Sequence, residues 1–148
     1  MDRHPKRFEG LRHAAFDAAV SLVGRVLFGG FFLYNGINHF MNLEGFAGYA
    51  LSKGVPMPSF MVAASGVLLL LGGLSILLGF WTRVGAWLLV LFLVPTSFLM
   101  HNFWAIPDAQ AAAGEMVQFL KNMALTGAAL MIASVPRWPL SLDEQRKV

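Results

Sequence analysis

The chain contains no cysteine. That absence excludes a disulfide, a thiol relay, a cysteine-held iron–sulfur cluster and a covalently attached c-type haem. Charge is nearly as scarce. Asp, Glu, Lys and Arg make up 13% of the 148 residues, where a soluble domain carries about 25%. With 57% hydrophobic residues and a mean hydropathy of +0.62, too few charges remain to cover a water-facing surface. The composition therefore points to an integral membrane protein of one domain. Histidine is sparse too, and His4 and His13 sit in a basic N-terminal arm. His39 and His101, with Glu44 and Glu115 as the nearest carboxylates, form no metal-ligand spacing. As axial haem ligands the same two histidines would serve one haem at most. Neither a metal nor a haem is expected. The net charge of +3 comes mainly from segments flanking the apolar runs, so it gives no ground for nucleic-acid binding.

What the chain has in quantity is long apolar runs. Four of them, near residues 18–39, 60–80, 83–100 and 116–135, approach the 17–25 residues that cross about 30 Å of hydrocarbon as a helix. The expected fold is an all-α four-transmembrane-helix bundle over 18–135, with a basic arm at 1–17 and a tail at 136–148. The first run is too long for a secretory signal, and Asn35, Asn38 and His39 do not resemble a cleavage site. Pro95 should kink the third span, with Thr96 or Ser97 available to the freed carbonyl. In the second span, Gly66 and Gly73 share one face and Gly72 and Gly79 another, which reads as a packing seam.

Basic residues cluster before span one (Arg3, Lys6, Arg7, Arg12), in the turn after span two (Arg83) and after span four (Arg137, Arg146, Lys147). The positive-inside rule then places both termini in the cytoplasm of a multi-pass inner-membrane protein. The arm can also press against anionic lipid. Tyr49, Phe103 and Trp104 on one side, and Trp81 and Trp138 on the other, fit interfacial aromatic belts. Between spans one and two, Leu43, Phe46, Ala47, Ala50 and Leu51 fall at helical spacing. A short amphipathic helix is expected there, with Asn42 as N-cap, Gly54 as stop, and Ser59 capping span two beyond Pro56 and Pro58. Pro107–Asp108 should form a turn and cap, with the alanine-rich stretch after it extending span four.

Nearly every polar residue inside the spans lies at one end. Asn35, Asn38 and His39 close the first span, His101 and Asn102 the third, and Gln118, Lys121 and Asn122 open the fourth. Polar groups at that depth are expensive and usually face a bundle interior or a cavity. Two histidines, a lysine and several amides suit a carbonyl or hydroxyl ligand such as a quinone ring, or a small oxyanion. Meeting headgroups and capping helices is the plainer role for the same residues. Arg25, about 10 Å inside the first span at 1.5 Å per residue, either snorkels or needs an acceptor. Backbone carbonyls, Ser21, Ser134 or a bound anion are the candidates.

Five segments resemble the DoxX family of small membrane proteins: GGFFLYNGINHF (29–40), GFAGYALSKGVP (45–56), GGLSILLGFWTR (72–83), HNFW (101–104) and FLKN (119–122). The resemblance implies four membrane helices and links to quinone-coupled sulfur oxidation and oxidative-stress complexes. His39, Tyr49, Lys53, His101, Asn102, Lys121 and Asn122 match its recurring polar positions. The expected ligand-binding set is therefore these seven with Asn35 and Gln118. The leading expectation is a quinone-associated or accessory subunit of a membrane redox system, with a pocket between spans one, three and four. The expected partners are lipid, quinone as the non-covalent cofactor, and either a second copy of the chain or a larger membrane complex. The rival is a non-catalytic assembly or scaffolding subunit. A small-solute carrier ranks last, because no internal repeat provides for alternating access.

Overall fold

The computed structural model describes the backbone of residues 4–145 and the side chains of residues 10 and 12–145. Helix α1 (His4–Met41) is followed by the short α2 (Leu43–Ser52), then α3 (Pro58–Leu78) and α4 (Thr82–Met100). A 3-10 turn (Phe103–Ala105) leads into α5 (Ala109–Ser134), and a last turn, α6 (Leu142–Gln145), closes the described chain. Among the described residues, four stretches are long and apolar enough to cross a membrane: Arg12–Met41, Pro58–Leu78, Thr82–Ala105 and Ala109–Ser134. The expected four-helix membrane fold, with its amphipathic helix after the first span, is therefore present. Helix α1 begins far upstream of residue 18, so the described part of the arm continues the first span as helix.

Chain punctuation explains the element ends. Gly54 at φ 77° stops α2, and the Val55 amide donates to the Ala50 carbonyl at 3.0 Å. Pro58 opens α3 at its first turn, where a missing N–H costs nothing. The N-cap is Met57, so Ser59 lies inside the helix and does not cap it as expected. Asn42 stands at the N-cap of α2, but its amide turns back to Asn38 Oδ1 instead of capping. Asp108 does cap α5, accepting from the Ala111 amide at 2.7 Å. That cap starts α5 well before residue 116 and brings Glu115 into the helix.

Helix α3 packs between α1 and α4, and α4 between α3 and α5. The core runs through Phe32, Leu69, Ile76, Ala86, Leu89, Leu93 and Ala133. Gly73 meets Gly29 and Leu33 of α1, Gly66 meets His39 and Phe40, and Gly72 meets Leu89 and Gly85 of α4. Gly66 and Gly73 thus share the face toward α1 as expected, whereas Gly72 faces α4 and Gly79, the C-cap of α3, meets Arg25 and Ser141. A second small core of Ala50, Val55 and Val62 seats α2 on α3. Between α1 and α5 there is no seam of comparable extent.

At the end carrying the termini, the residues after α5 fold back as a strap. The Asp143 amide donates to the Gly79 carbonyl (3.0 Å), and its carboxylate accepts from the Trp81 amide (2.8 Å). Arg25, 3% exposed, donates through Nη2 to the Leu140 carbonyl at 2.6 Å. Of the acceptors considered for Arg25, the structure uses a backbone carbonyl, supplied by the strap. Its Nε and Nη1 are buried with no hydrogen-bond partner among the described residues, and so is Ser21 Oγ.

Candidate functional site

The opposite, loop end gathers most of the polar residues into one place. The last turns of α1 set their orientation. Asn35 donates through Nδ2 to the Phe31 carbonyl at 2.7 Å, and His39 Nδ1 donates to the Asn35 carbonyl at 2.7 Å. A carbonyl oxygen only accepts, so the proton on Nδ1 is fixed and a neutral His39 presents Nε2 as a lone pair. The imidazole stacks on Phe46 of α2 (4.7 Å, 19°) and meets the edge of Phe92 of α4 (6.0 Å).

From α2 the Tyr49 hydroxyl reaches across the mouth. It lies 2.9 Å from Glu115 Oε1 and 3.3 Å from the Met100 carbonyl. The other carboxylate oxygen of Glu115 is 2.6 Å from His101 Nδ1, an ion pair when that ring is protonated. Glu115 therefore ties α2, the end of α4 and α5 together. Burial, then the Glu115 carboxylate accepting from the hydroxyl, pushes the Tyr49 phenol up to about 12. The phenol stays a donor at any physiological pH. Lys53 donates to Asn102 Oδ1 at 3.3 Å and lies 5.6 Å from the Tyr49 ring centre. Phe98, Phe103, Trp104 and Phe119 pack against one another, edge to face apart from the tilted Phe98–Trp104 pair, with centroids 5.1–6.2 Å apart, and pin the 101–104 turn to α5.

Beside these groups lies a cavity of about 450 Å³. Its walls are mainly apolar, among them Phe31, Phe32, Leu69, Phe92, Leu93 and Met61. Polar lining comes from Asn35, His39, Tyr49, His101, Lys121 and Asn122. Lys121 Nζ contacts Gln118 Oε1 and retains two further N–H donors. Asn122 is 6% exposed, and its side-chain amide has no hydrogen-bond partner among the described residues. The cavity is larger than the expected pocket between spans one, three and four, since α2 and α3 also form its wall.

Of the nine residues expected to bind, Lys53, Asn102 and Gln118 do not line the cavity. They hold their neighbours instead, Lys53 on Asn102 and Gln118 on Lys121. Glu115 was not among the nine. The signal for it was available: Asp108 as the cap of α5 places Glu115, Gln118 and Asn122 at i, i+3 and i+7 on one helix face.

Four apolar helices, an amphipathic helix over their loop end, and a cavity with polar groups at one end define a small polytopic membrane protein. Residues 20–102 match the DoxX family model. The chain belongs to the DoxX family. It is 30% identical over 138 residues to the inner membrane protein YphA of Escherichia coli (strain K12), covering 91% of this chain and 98% of that one. It is 31% identical over 122 residues to the inner membrane protein YqjF of the same strain, covering 82% and 88%. No solved structure matches the chain.

Proposed function

We propose that this protein is an inner-membrane accessory subunit of a redox system that holds the head group of a quinone-class molecule in the loop-end cavity. The observation that carries this reading is the pairing of an apolar volume of about 450 Å³ with the Asn122 amide and Lys121 on one part of its lining and the fixed His39 imidazole on another. An apolar chamber with few, convergent polar groups is the form a small-molecule site takes. A ring with oxygen substituents fits it: Phe32, Phe92 and Leu93 accept the body, and Asn122, Lys121 and His39 address the oxygens. A quinone in this place supplies reversible two-electron, two-proton chemistry; the protein supplies orientation, a water-poor wall and hydrogen bonds.

Two further elements complete the reading. Lysine and arginine lie mainly at the end with the termini, which supports both termini in the cytoplasm and the cavity toward the periplasm. The relatives named as inner membrane proteins support the same membrane. In this reading it acts as a subunit beside a larger complex or a second copy of the chain.

The test is purification in mild detergent, followed by native mass measurement and lipid extraction on one sample. A stoichiometric quinone, lost on Asn122→Leu or His39→Leu while the helical fold persists, supports the proposal. A quinone-free protein in a stable larger complex overturns it and makes assembly the function.

A further inference from the structure

The donors and acceptors around the cavity are not mixed at random. On α1, Asn35 Nδ2 is engaged by the Phe31 carbonyl, which leaves Oδ1 as an acceptor, and His39 Nδ1 is engaged by the Asn35 carbonyl, which leaves Nε2 as an acceptor. On α5, Lys121 carries only donors, and Asn122 adds an amide with two N–H groups and one accepting oxygen, so donors outnumber acceptors there. The cavity has an acceptor-rich wall on α1, where Asn35 keeps one N–H beside its oxygen and His39 offers Nε2, and a donor-rich wall on α5, two helices that share no extensive seam.

A carbonyl oxygen can satisfy the α5 wall but leaves His39 Nε2 without a donor. A hydroxyl satisfies both, donating to His39 and accepting from Lys121 or Asn122. Protonation of His39 would also allow a carbonyl there. Yet the ring lies between Phe46 and Phe92, and among the described residues no carboxylate pairs with it. A charge in such a setting is disfavoured. Glu115, the carboxylate at the mouth, is already engaged by His101 and Tyr49.

Resting on the proposed quinone-class site, we infer that the cavity selects the hydroxyl-bearing, reduced form of its ligand, with His39 Nε2 as the acceptor that discriminates. The inference concerns this chain's residues and equilibrium binding; it requires no turnover.

The experiment compares decylubiquinol, held reduced under anaerobic conditions, with decylubiquinone for binding to the full-length protein in detergent. One hydrogen bond gained, against one buried acceptor left unpaired, corresponds to a preference of roughly tenfold or more for the quinol. In His39→Leu the two forms should bind within about twofold of each other, whereas Asn122→Leu should weaken both. Equal or tighter binding of the quinone to the native protein overturns the inference and leaves the quinone-class site standing. Binding of neither form overturns both. A quinol preference that persists in a folded His39→Leu protein removes His39 as the discriminating group. If that variant does not fold, the ratio measured on the native protein decides.

Discussion

Replacing Gly29 by alanine should loosen the contact on which the wall of the cavity rests. A Cβ built on Gly29 falls 2.7 Å from the Gly73 carbonyl oxygen, 2.9 Å from the Leu77 amide nitrogen and 3.1 Å from its Cα. Ordinary contact begins near 3.4 Å. The helices must therefore part by about 0.7 Å, since every obstructing atom is backbone and none can rotate away. Overpacking of this kind costs about 1–3 kcal/mol, offset by at most about 1 kcal/mol of helix propensity gained over glycine. Gly127 provides the control: it lies in α5 with nothing within 4 Å of its Cβ position, so Gly127→Ala receives the propensity gain alone. Gly29→Ala should unfold about 2 kcal/mol more easily than Gly127→Ala, or about 4–8 °C lower for a domain of this size. Tryptophan fluorescence during heating, in one detergent for all variants, reads the difference. Asn35 and His39 stand further along the same helix, so the Gly29→Ala protein should also bind decylubiquinol more weakly. Equal midpoints for the two variants would refute the claim that α1 and α3 touch backbone to backbone.

In a Tyr34→Phe background, where Tyr49 is the only tyrosine left of two, ultraviolet titration should show phenolate appearing only near pH 12. Folding favours the neutral phenol, so the stability linked to Tyr49 is intact below its ordinary value of about 10 and is lost as pH rises toward about 12. Glu115→Gln should bring that ionisation back down, and an unchanged titration would remove Glu115 as its partner. Arg25→Met gives up one hydrogen bond to the Leu140 carbonyl but also removes two buried nitrogens without partners. Each such orphan carries a penalty of about 1–3 kcal/mol, so the bundle should be no less stable. Hydrogen exchange at residues 140–143 should nevertheless quicken as the strap loses its anchor; a large fall in melting temperature with an unchanged strap would contradict this.

The spans and the amphipathic helix were legible because hydrophobic length and helical spacing are local properties. So was the α5 cap, since an aspartate after Pro107 has one obvious use. Ser59 misled for a comparable reason: a serine near a helix start resembles a cap, but Pro58 already suits the first helical position and moves the boundary two residues back. The strap was not legible. Its anchor joins Arg25 to Leu140 across 115 residues of sequence, and its geometry depends on Leu140 at φ 53°, which no leucine announces. The polar cluster could be read as a set, but its division into cavity-lining and supporting members could not. That division follows from which helix pair is left unpacked, a property of the whole bundle.

The way α1 makes its polar residues tolerable in a membrane also fixes what they can bind. Asn35 and His39 each return one N–H to a carbonyl four residues earlier, at 2.7 Å in both cases. These local bonds reduce the penalty of holding an amide and an imidazole at the edge of the hydrocarbon. They engage donors, because backbone carbonyls inside a helix have lone pairs to spare while interior amides do not. What each side chain has left for the cavity is therefore weighted toward acceptors. Asn122 on α5 makes no such return bond, and Lys121 has no acceptor to offer. The polarity of the two walls thus follows from helix hydrogen bonding and residue type before any ligand is considered, and a hydroxyl is the simplest group able to bridge them.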